Sequence, residues 1–328
     1  MLEPHEPLTC LAHIDEPRIR ELIDTDTFFW LDLERPTDEE IQSLGALFGF
    51  HELALEDATK FGQRPKVDEY GDHLTIVYFG AEPPRPAAKV ALVEVHVFVH
   101  GGFVVTVRRA AWQAITELRR SFELLPFASE QFVPYRILDA LTDTLTELVD
   151  SIERDIDEIE EDVVQGAEPE HAVRIMALKH ELATLRRTVG PQRDVAKLMV
   201  SRLAEVPGLD RGAHDYFRDV HDHMIRVDQG VETSRMLIAD VLSVYMAGTA
   251  QRQNEATERL NVIATIFLPL SFVVGFFGQN FAWMTDHVQS RGDFLLYGGG
   301  SLVVSFLLLV PVLRLSIPGL RRRRDARS

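Results

Sequence analysis

Cysteine is almost absent from this sequence, because Cys10 is the only one in 328 residues. A single cysteine excludes an intrachain disulfide and is typical of a reducing compartment. The opening residues MLEPHEP are acidic and no apolar core follows them, so we expect no signal peptide. The sequence also lacks a nucleotide-binding loop, a nucleophile elbow and a metal-hydrolase spacing. We therefore expect neither an enzyme nor a catalytic cofactor, and no nucleic-acid partner.

Charge is missing from two long stretches in the C-terminal part of the chain. Residues 260–285 and 294–313, which number 26 and 20, contain no Asp, Glu, Lys or Arg. As helices that rise about 1.5 Å per residue they would extend roughly 39 and 30 Å, enough to cross a hydrocarbon core of about 30 Å. Buried soluble helices are the alternative. Two adjacent stretches followed by four arginines favour transmembrane helices.

The charges are distributed unevenly about these stretches. Residues 260–328 contain seven Arg and three Asp, a net charge of +4, which leaves −21 for residues 1–259. Arginines precede the first stretch and follow the second, whereas the connecting loop 286–293 contains one Arg and two Asp. Because cytoplasmic flanks carry the excess of Arg and Lys, both termini are predicted to lie in the cytoplasm.

The first 127 residues predict a small mixed α/β domain. Four segments have the composition of strands: TFFWLDL, HLTIVYFG, VEVHVFV and FVVTVRR. The glycines of His100-Gly101-Gly102 indicate a hairpin turn before the last of these segments. The sequence TDEE at Thr37–Glu40 is a capping box, which predicts the start of a helix.

Long helices are predicted for residues 128–259. Apolar residues recur at helical spacing in the first of them, namely Ile152, Ile156, Ile159 and Val163. The acidic residues between them are interpreted as a solvated face in preference to a metal site. A second helix is predicted from Glu170 to Leu203, with Gly190-Pro191 as a candidate kink. A third is predicted from Ala213 to Phe277, roughly 95 Å long at standard rise, and it requires neighbouring helices for stability.

One face of the first apolar stretch, extended into the helix before it, is small or polar at nearly every third or fourth residue. This face comprises Asn254, Thr257, Asn261, Ala264, Leu268, Ser271, Gly275 and Gly278. Polar groups in a membrane helix are costly when they face lipid, so this face is predicted to contact protein or water. A close helix–helix seam is one interpretation. The polar extension to Asn254 and the Gly-Gln-Asn end favour a water-lined pathway.

A single such helix cannot enclose a pore, so several copies around a symmetry axis are expected. The lining would contain carboxamide, hydroxyl and backbone oxygens and no charged side chain. Mg²⁺ gives up its water reluctantly and prefers oxygen partners, and conduction requires binding that is weak enough for the ion to leave. The pattern therefore indicates passage of a hydrated divalent cation, with the remaining apolar residues of the stretch in contact with lipid or protein.

The sequence resembles the CorA family of divalent-cation channels, which also includes ZntB-type zinc transporters. The resemblance lies in YFRDVHDHMIRVDQGVETSR, IATIFLPLSFVVGFFGQNF and, more weakly, GFHELALEDATKFGQRPKVDEY. It implies an α+β cytoplasmic N-terminal domain, long α-helices, two C-terminal transmembrane helices and a homopentameric funnel in the plasma (inner) membrane of a prokaryote. The corresponding segments are 1–127 (α/β domain), 128–259 (helical hairpin plus stalk helix), 260–285 (first transmembrane helix and mouth), 286–293 (external loop), 294–313 (second transmembrane helix) and 314–328 (basic cytoplasmic tail).

The resemblance also implies the site residues. The family's Gly-Met-Asn signature corresponds to Gly278, Gln279 and Asn280, a ring of carboxamides that would receive the hydrated ion. The residues implied to face the conduction path are Asn254, Thr257, Leu260, Leu268, Ser271 and Gly275, with the two leucines as apolar constrictions. The residues implied to bind regulatory Mg²⁺ between subunits are Glu56, Asp57, Asp219 and, by a weaker match, Asp143.

Mg²⁺ is accordingly the expected substrate and regulatory ligand, with Co²⁺ and Ni²⁺ as further substrates. Gln279 replaces the usual methionine and the usual Met-Pro-Glu continuation is absent, which leaves open a Zn²⁺ transporter of the ZntB kind, driven by a proton gradient. A membrane-anchored scaffold or sensor without ion flux is the alternative of another class. His221 and His223 are two residues apart on a helix, face different directions and are assigned to packing or solvent rather than to a metal.

Overall fold

A computed structural model of the chain describes residues 8–83, 90–124, 132–203, 206, 213–279 and 282–316. The chain divides into two compact units, Met1–Tyr245 and Met246–Ser328. The sequence boundary predicted near residue 127 lies within the first of these units.

The first unit contains a six-stranded mixed sheet with the strand order β1-β2-β6-β5-β4-β3. The strands are β1 (Thr9–Leu11), β2 (Phe29–Glu34), β3 (Lys66–Tyr70), β4 (His73–Ala81), β5 (Leu92–His100) and β6 (Phe103–Arg108). β1 and β6 pair with β2 in parallel, and the other pairs are antiparallel. The predicted hairpin is confirmed, since His100 pairs with Phe103 across the two glycines. Charged β3, which the sequence pattern did not predict, is an edge strand.

Seven helices begin in the described part of the first unit. They are α1 (Glu16–Asp24), α2 (Asp38–Phe48), α3 (Glu52–Lys60), α4 (Gln113–Leu124), α5 (Phe132–Gln165), α6 (Pro169–Arg202) and α7 (Ala213–Phe277). The predicted capping box is present at the start of α2, where the N–H of Glu40 donates to Oγ1 of Thr37 (3.2 Å) and the N–H of Thr37 donates to the Glu40 carboxylate (2.7 Å). α6 continues through Pro191, at the position of the candidate kink.

The sheet separates two hydrophobic cores because successive strand residues point to opposite faces. Along β2, Phe29 and Leu31 pack with the apolar residues of α1, α2 and α3, whereas Trp30 packs with those of α4, α5, α6 and α7. This alternation places α3 on one face of the sheet and the long helices on the other.

The second unit contains the end of α7 and short helical segments. These segments are α8 (Ala282–His287), α9 (Arg291–Phe294), a π-helical turn (Leu295–Gly299) and α10 (Gly300–Ser316). Among the described residues, one helix, His214–Phe276, is long and apolar enough to cross a membrane. The second predicted span, 294–313, is divided between the last residue of α9, the π-helical turn and α10, so it is not one uninterrupted α-helix.

Candidate functional site

Helix α3, which contains Asp57, is anchored to the sheet by the turn that follows it. Phe61 adopts a left-handed backbone with φ 55°, a conformation that is uncommon for a residue other than glycine. The carboxylate of Glu94 on β5 then accepts hydrogen bonds from the backbone N–H groups of Gly62 (2.7 Å) and Gln63 (3.2 Å). These contacts tie the turn after α3 to β5.

Asp57 already has a cationic partner in this arrangement. The Nζ atom of Lys66 on β3 lies 2.6 Å from Oδ2 of Asp57 and 2.8 Å from Oδ2 of Asp68. Burial lowers the pKa of Lys66, but the hydrogen bonds to the two carboxylates outweigh burial and leave this pKa above its ordinary value. Glu56 is more exposed and pairs with Lys60 one helical turn away.

A second group of polar side chains lies between α5 and α7. Asp139 and Asp143 follow one another at a spacing of four residues on α5, and His223 approaches them from α7. One ligand atom from each of these three residues lies within 4.8 Å of the others, close enough to hold a metal ion. We call these three residues the Asp–His cluster. Asp219 lies beside it, with Oδ1 at 3.6 Å from Nε2 of His223, and accepts a hydrogen bond from the hydroxyl of Tyr135 (3.2 Å).

Asp139 is the buried member of the Asp–His cluster, with 5% of its surface exposed. Its Oδ2 accepts a hydrogen bond from Arg136 (3.0 Å), whereas its Oδ1 lies 3.2 Å from Nδ1 of His223 without a hydrogen-bond partner. Burial raises the pKa of Asp139, and the neighbouring Asp143 carboxylate raises it further against the opposing charges of Arg136 and His223. A divalent cation would favour the ionised carboxylate and would supply the missing partner of Oδ1.

The hydroxyl of Tyr135 donates a hydrogen bond to Asp219. Burial, followed by the charges of Asp139 and Asp219, raises the pKa of Tyr135 to about 12. The phenol is therefore neutral at physiological pH and stabilises the Asp219 carboxylate through the hydrogen bond.

The structure gathers some of the residues implied by sequence and separates others. Asp143 and Asp219 lie in or beside the Asp–His cluster, whereas Asp57 lies in a separate group with Lys66. Sequence reasoning missed Asp139, although its spacing from Asp143 places both carboxylates on one helical face. His223 was assigned to packing or solvent, but in the structure it contacts carboxylates on both sides. His221 approaches only its neighbour Asp222, at 4.0 Å, among the contacts of the described residues.

The small and polar face of α7 is exposed in the single chain. The residues that helical spacing or the resemblance predicts to line the conduction path are all exposed, namely Asn254, Thr257, Leu260, Ala264, Leu268, Ser271 and Gly275. Leu260 and Leu268 are 66% and 76% exposed, which is a large apolar surface to leave without a covering partner. A helix face of this kind is available for contact with other copies of the chain or with a bilayer.

The predicted mouth lies at the C-terminal end of α7. The N–H of Gly278 donates to the carbonyl of Val274 (3.0 Å), and the N–H of Gln279 donates to that of Phe276 (3.2 Å). A Cβ atom at Gly278 would approach the Val274 carbonyl oxygen to 3.3 Å, so glycine eases this tightened last turn. Asn280 lies outside the described residues, as does the basic tail from residue 317 onward.

Comparison with known proteins finds a family whose sequence model matches this chain. The sequence model of the family described as CorA-like Mg²⁺ transporter protein matches residues 25–315. The cobalt/magnesium transport protein CorA of Thermotoga maritima is 31% identical over 270 residues, which cover 80% of this chain and 76% of the relative. The zinc transport protein ZntB of Yersinia enterocolitica is 25% identical over 234 residues, which cover 70% of this chain and 69% of the relative.

A solved structure resembles the fold over most of its length. The complete structure of the CorA magnesium transporter from Methanocaldococcus jannaschii superposes with a TM-score of 0.75 at 20% sequence identity, covering 87% of this chain and 89% of that chain. At this level of identity the likeness establishes the arrangement of helices and strands.

Proposed function

Because this chain belongs to the family of CorA-like Mg²⁺ transporter proteins, we propose that it is a divalent-cation channel that takes up Mg²⁺ across the plasma membrane. The observation that carries the proposal is the succession of small and polar residues along one face of α7, which leads to Gly278 and Gln279 just beyond the end of a helix long enough to cross a membrane. Co²⁺ and Ni²⁺, which are also small divalent cations, are proposed as further substrates.

In the proposed assembly, five copies of α7 surround a central path and residues 294–313 form the outer transmembrane layer, with both termini in the cytoplasm. Carboxamides at Gln279 and Asn280 hydrogen-bond the water shell of the ion, since Mg²⁺ dehydrates reluctantly. The absence of a carboxylate ring at this point keeps the ion from being trapped. Leu260 and Leu268 narrow the path with apolar side chains, which can close it by excluding water.

Regulation is proposed to use the acidic residues of the first unit. Asp57 of one subunit and Asp219 of a neighbouring subunit would be bridged by Mg²⁺, with Glu56 nearby, and the Asp–His cluster would offer a further cation site beside Asp219. Facing carboxylates repel one another until a cation binds, so intracellular Mg²⁺ would stabilise the closed assembly and its loss would release the subunits.

Zn²⁺ transport is the second candidate function, and His223 is the observation that favours it. Imidazole suits Zn²⁺, whereas Mg²⁺ is bound mainly by oxygen ligands. The 25% identity to a zinc transport protein over 70% of the chain agrees with this alternative. In that case the Asp–His cluster would respond to Zn²⁺, and uptake would be coupled to protons.

The deciding experiment is uptake into liposomes that contain the purified protein, with Mg²⁺, Zn²⁺ and Co²⁺ compared with and without a pH gradient. Mg²⁺ entry without a gradient is the expected result, and Asn280→Ala should greatly reduce it while leaving the oligomer intact by size-exclusion chromatography. Zn²⁺ entry that grows with the gradient would instead favour the zinc transporter. No flux of any ion would favour a membrane-anchored scaffold or sensor.

A further inference from the structure

We propose that Lys66 is a tethered competitor of the regulatory cation, whose ammonium group neutralises Asp57 in the absence of a divalent ion and thereby sets the Mg²⁺ concentration at which the channel closes. This inference rests on the proposed regulation through Asp57. It assigns to Lys66 the role of a tuning residue, which weakens binding of the cation without being one of its ligands.

The geometry around Asp57 supports this role. Lys66 and Asp68 are two residues apart on β3, so their side chains lie on the same face of the strand. The ammonium group lies between the carboxylates of Asp57 and Asp68, at 2.6 and 2.8 Å. The Asp57 side chain is only 21% exposed, so its pairing with Lys66 is less screened by water than a surface ion pair.

The position of the contact in the fold makes it persistent. β3 fixes the start of the Lys66 side chain, and the hydrogen bonds from Gly62 and Gln63 to Glu94 fix the end of the helix that contains Asp57. Because both partners start from anchored backbone, the pair forms at the cost of side-chain rotamer entropy alone. Asp57 is therefore neutralised within the subunit before any cation arrives.

Competition follows from the charge of this group. Asp57, Asp68 and Lys66 together carry a charge of −1, and without the ammonium they would carry −2. A divalent cation that binds Asp57 must displace the ammonium group or remain close to it, and either event lowers its affinity. Lysine suits this role because it carries a compact charge on a flexible chain that can swing toward Asp68 or solvent when the cation binds.

A different arrangement holds for the nearby pair of Glu56 and Lys60. Both of these side chains are about half exposed or more, at 48% and 66%, and the pair lies within one helix. Exposed pairs of this kind contribute little because water and salt screen them. The competing effect is therefore assigned to Lys66 and not to positive charge in general on this surface.

The experiment measures Mg²⁺ uptake by liposomes containing the full-length protein, as a function of Mg²⁺ on the cytoplasmic side. Lys66→Gln is expected to lower the Mg²⁺ concentration for half-inhibition by about 5–10-fold, the effect of removing one close charge. Lys66→Arg retains the positive charge and can pair with Asp57 through two nitrogens, so half-inhibition should require at least as much Mg²⁺ as in the wild type. Arg202→Gln is the matched control, because Arg202 pairs with Glu69 of the same strand at 2.6 Å, and it should leave the midpoint unchanged.

A second variant moves the midpoint in the opposite direction. In Asp68→Asn the ammonium group of Lys66 loses one of its two carboxylate partners and keeps Asp57. The ammonium group should then compete more strongly for Asp57, so inhibition should require more Mg²⁺ than in the wild type. This variant also keeps the proposal falsifiable if Lys66→Gln does not assemble, as judged by size-exclusion chromatography.

The outcomes separate this inference from the proposed function. If Mg²⁺ inhibits the wild type, Asp57→Ala relieves the inhibition and Lys66→Gln leaves the midpoint unchanged, the competitor role is wrong while regulation through Asp57 stands. If the wild type conducts but internal Mg²⁺ does not inhibit it, the proposed regulation fails and the inference fails with it. An equal shift in Lys66→Gln and Arg202→Gln would also overturn the inference, since it would indicate a general effect of surface charge.

Discussion

The side-chain amide of Gln192 on α6 forms hydrogen bonds with both the backbone N–H and the backbone carbonyl of Phe79 on β4. Its Oε1 accepts a hydrogen bond from the N–H of Phe79 at 2.7 Å, and its Nε2 donates to the carbonyl of the same residue at 2.9 Å. β3 ends its pairing with β4 at Lys66 and Val77, so Phe79 lies beyond the partner strand. Gln192 therefore takes the place of the missing strand and joins α6 to the sheet.

Replacement of Gln192 by leucine is expected to destabilise the first unit by roughly 2–4 kcal/mol, because two buried backbone groups lose their partners. The measurement is denaturant unfolding followed by tryptophan fluorescence, to which the buried Trp30 and Trp112 of this unit contribute. Gln113→Leu is the control, because Gln113 forms an exposed hydrogen bond to Glu117. Similar losses of unfolding free energy in the two variants would show that the hydrogen bonds from Gln192 to Phe79 do not stabilise this unit.

The raised pKa of the buried Asp139 carboxyl leads us to expect that stability depends on pH. Its pKa is raised above the ordinary value of 3.8, mainly by burial. In the presence of a chelator, the contribution of Asp139 to stability should be full below about pH 3.8 and should be lost as the pH rises through the raised pKa, because the folded state disfavours the ionised form. Asp139→Asn should then be more stable than the wild type at neutral pH and less sensitive to pH across this window.

The matched control for Asp139 is Asp150→Asn, which changes an exposed acid on the same helix. The midpoint of thermal unfolding is measured at several pH values for both variants. Identical pH profiles for Asp139→Asn and the wild type would show that the buried carboxyl of Asp139 does not determine how stability depends on pH.

The Asp–His cluster predicts a difference between metal ions. Removal of the imidazole in His223→Asn should reduce the stabilisation of the protein by Zn²⁺ or Co²⁺ much more than that by Mg²⁺, because imidazole favours transition metals and Mg²⁺ favours oxygen. The measurement is the rise in the midpoint of thermal unfolding with each ion. His221→Asn on the same helix is the control. A loss that is equal for all three ions would mean that His223 positions the carboxylates and does not bind the metal.

The sequence was a good guide to elements with a strong local signal. The capping box at Thr37 and the hairpin at His100–Phe103 were predictable because residues that are close in sequence determine them. β3 was missed because Lys66, Asp68 and Glu69 deprive it of the apolar composition of a strand. Its position at the edge of the sheet permits these charged residues.

The contacts of the candidate sites were less predictable because they depend on packing between distant segments. Asp139 and His223 are 84 residues apart and meet only through the packing of α5 against α7. No periodicity within either helix specifies that register. The pairing of Lys66 with Asp57 likewise depends on where Glu94 anchors the turn after α3. Sequence patterns therefore indicated chemically suitable residues, while tertiary packing selected which of them meet.

Leu268 provides a test of the proposed conduction path. Its side chain is 76% exposed on the small and polar face of α7, where an apolar ring would close the path by excluding water. Leu268→Asn should wet this constriction and leave measurable Mg²⁺ uptake at internal Mg²⁺ concentrations that stop the wild type. Leu268→Met keeps the position apolar, and the path in this variant should still close. If the asparagine variant closes as completely as the methionine variant, Leu268 does not line the path, and the face is better explained as a helix–helix seam, for which small residues and close packing suffice.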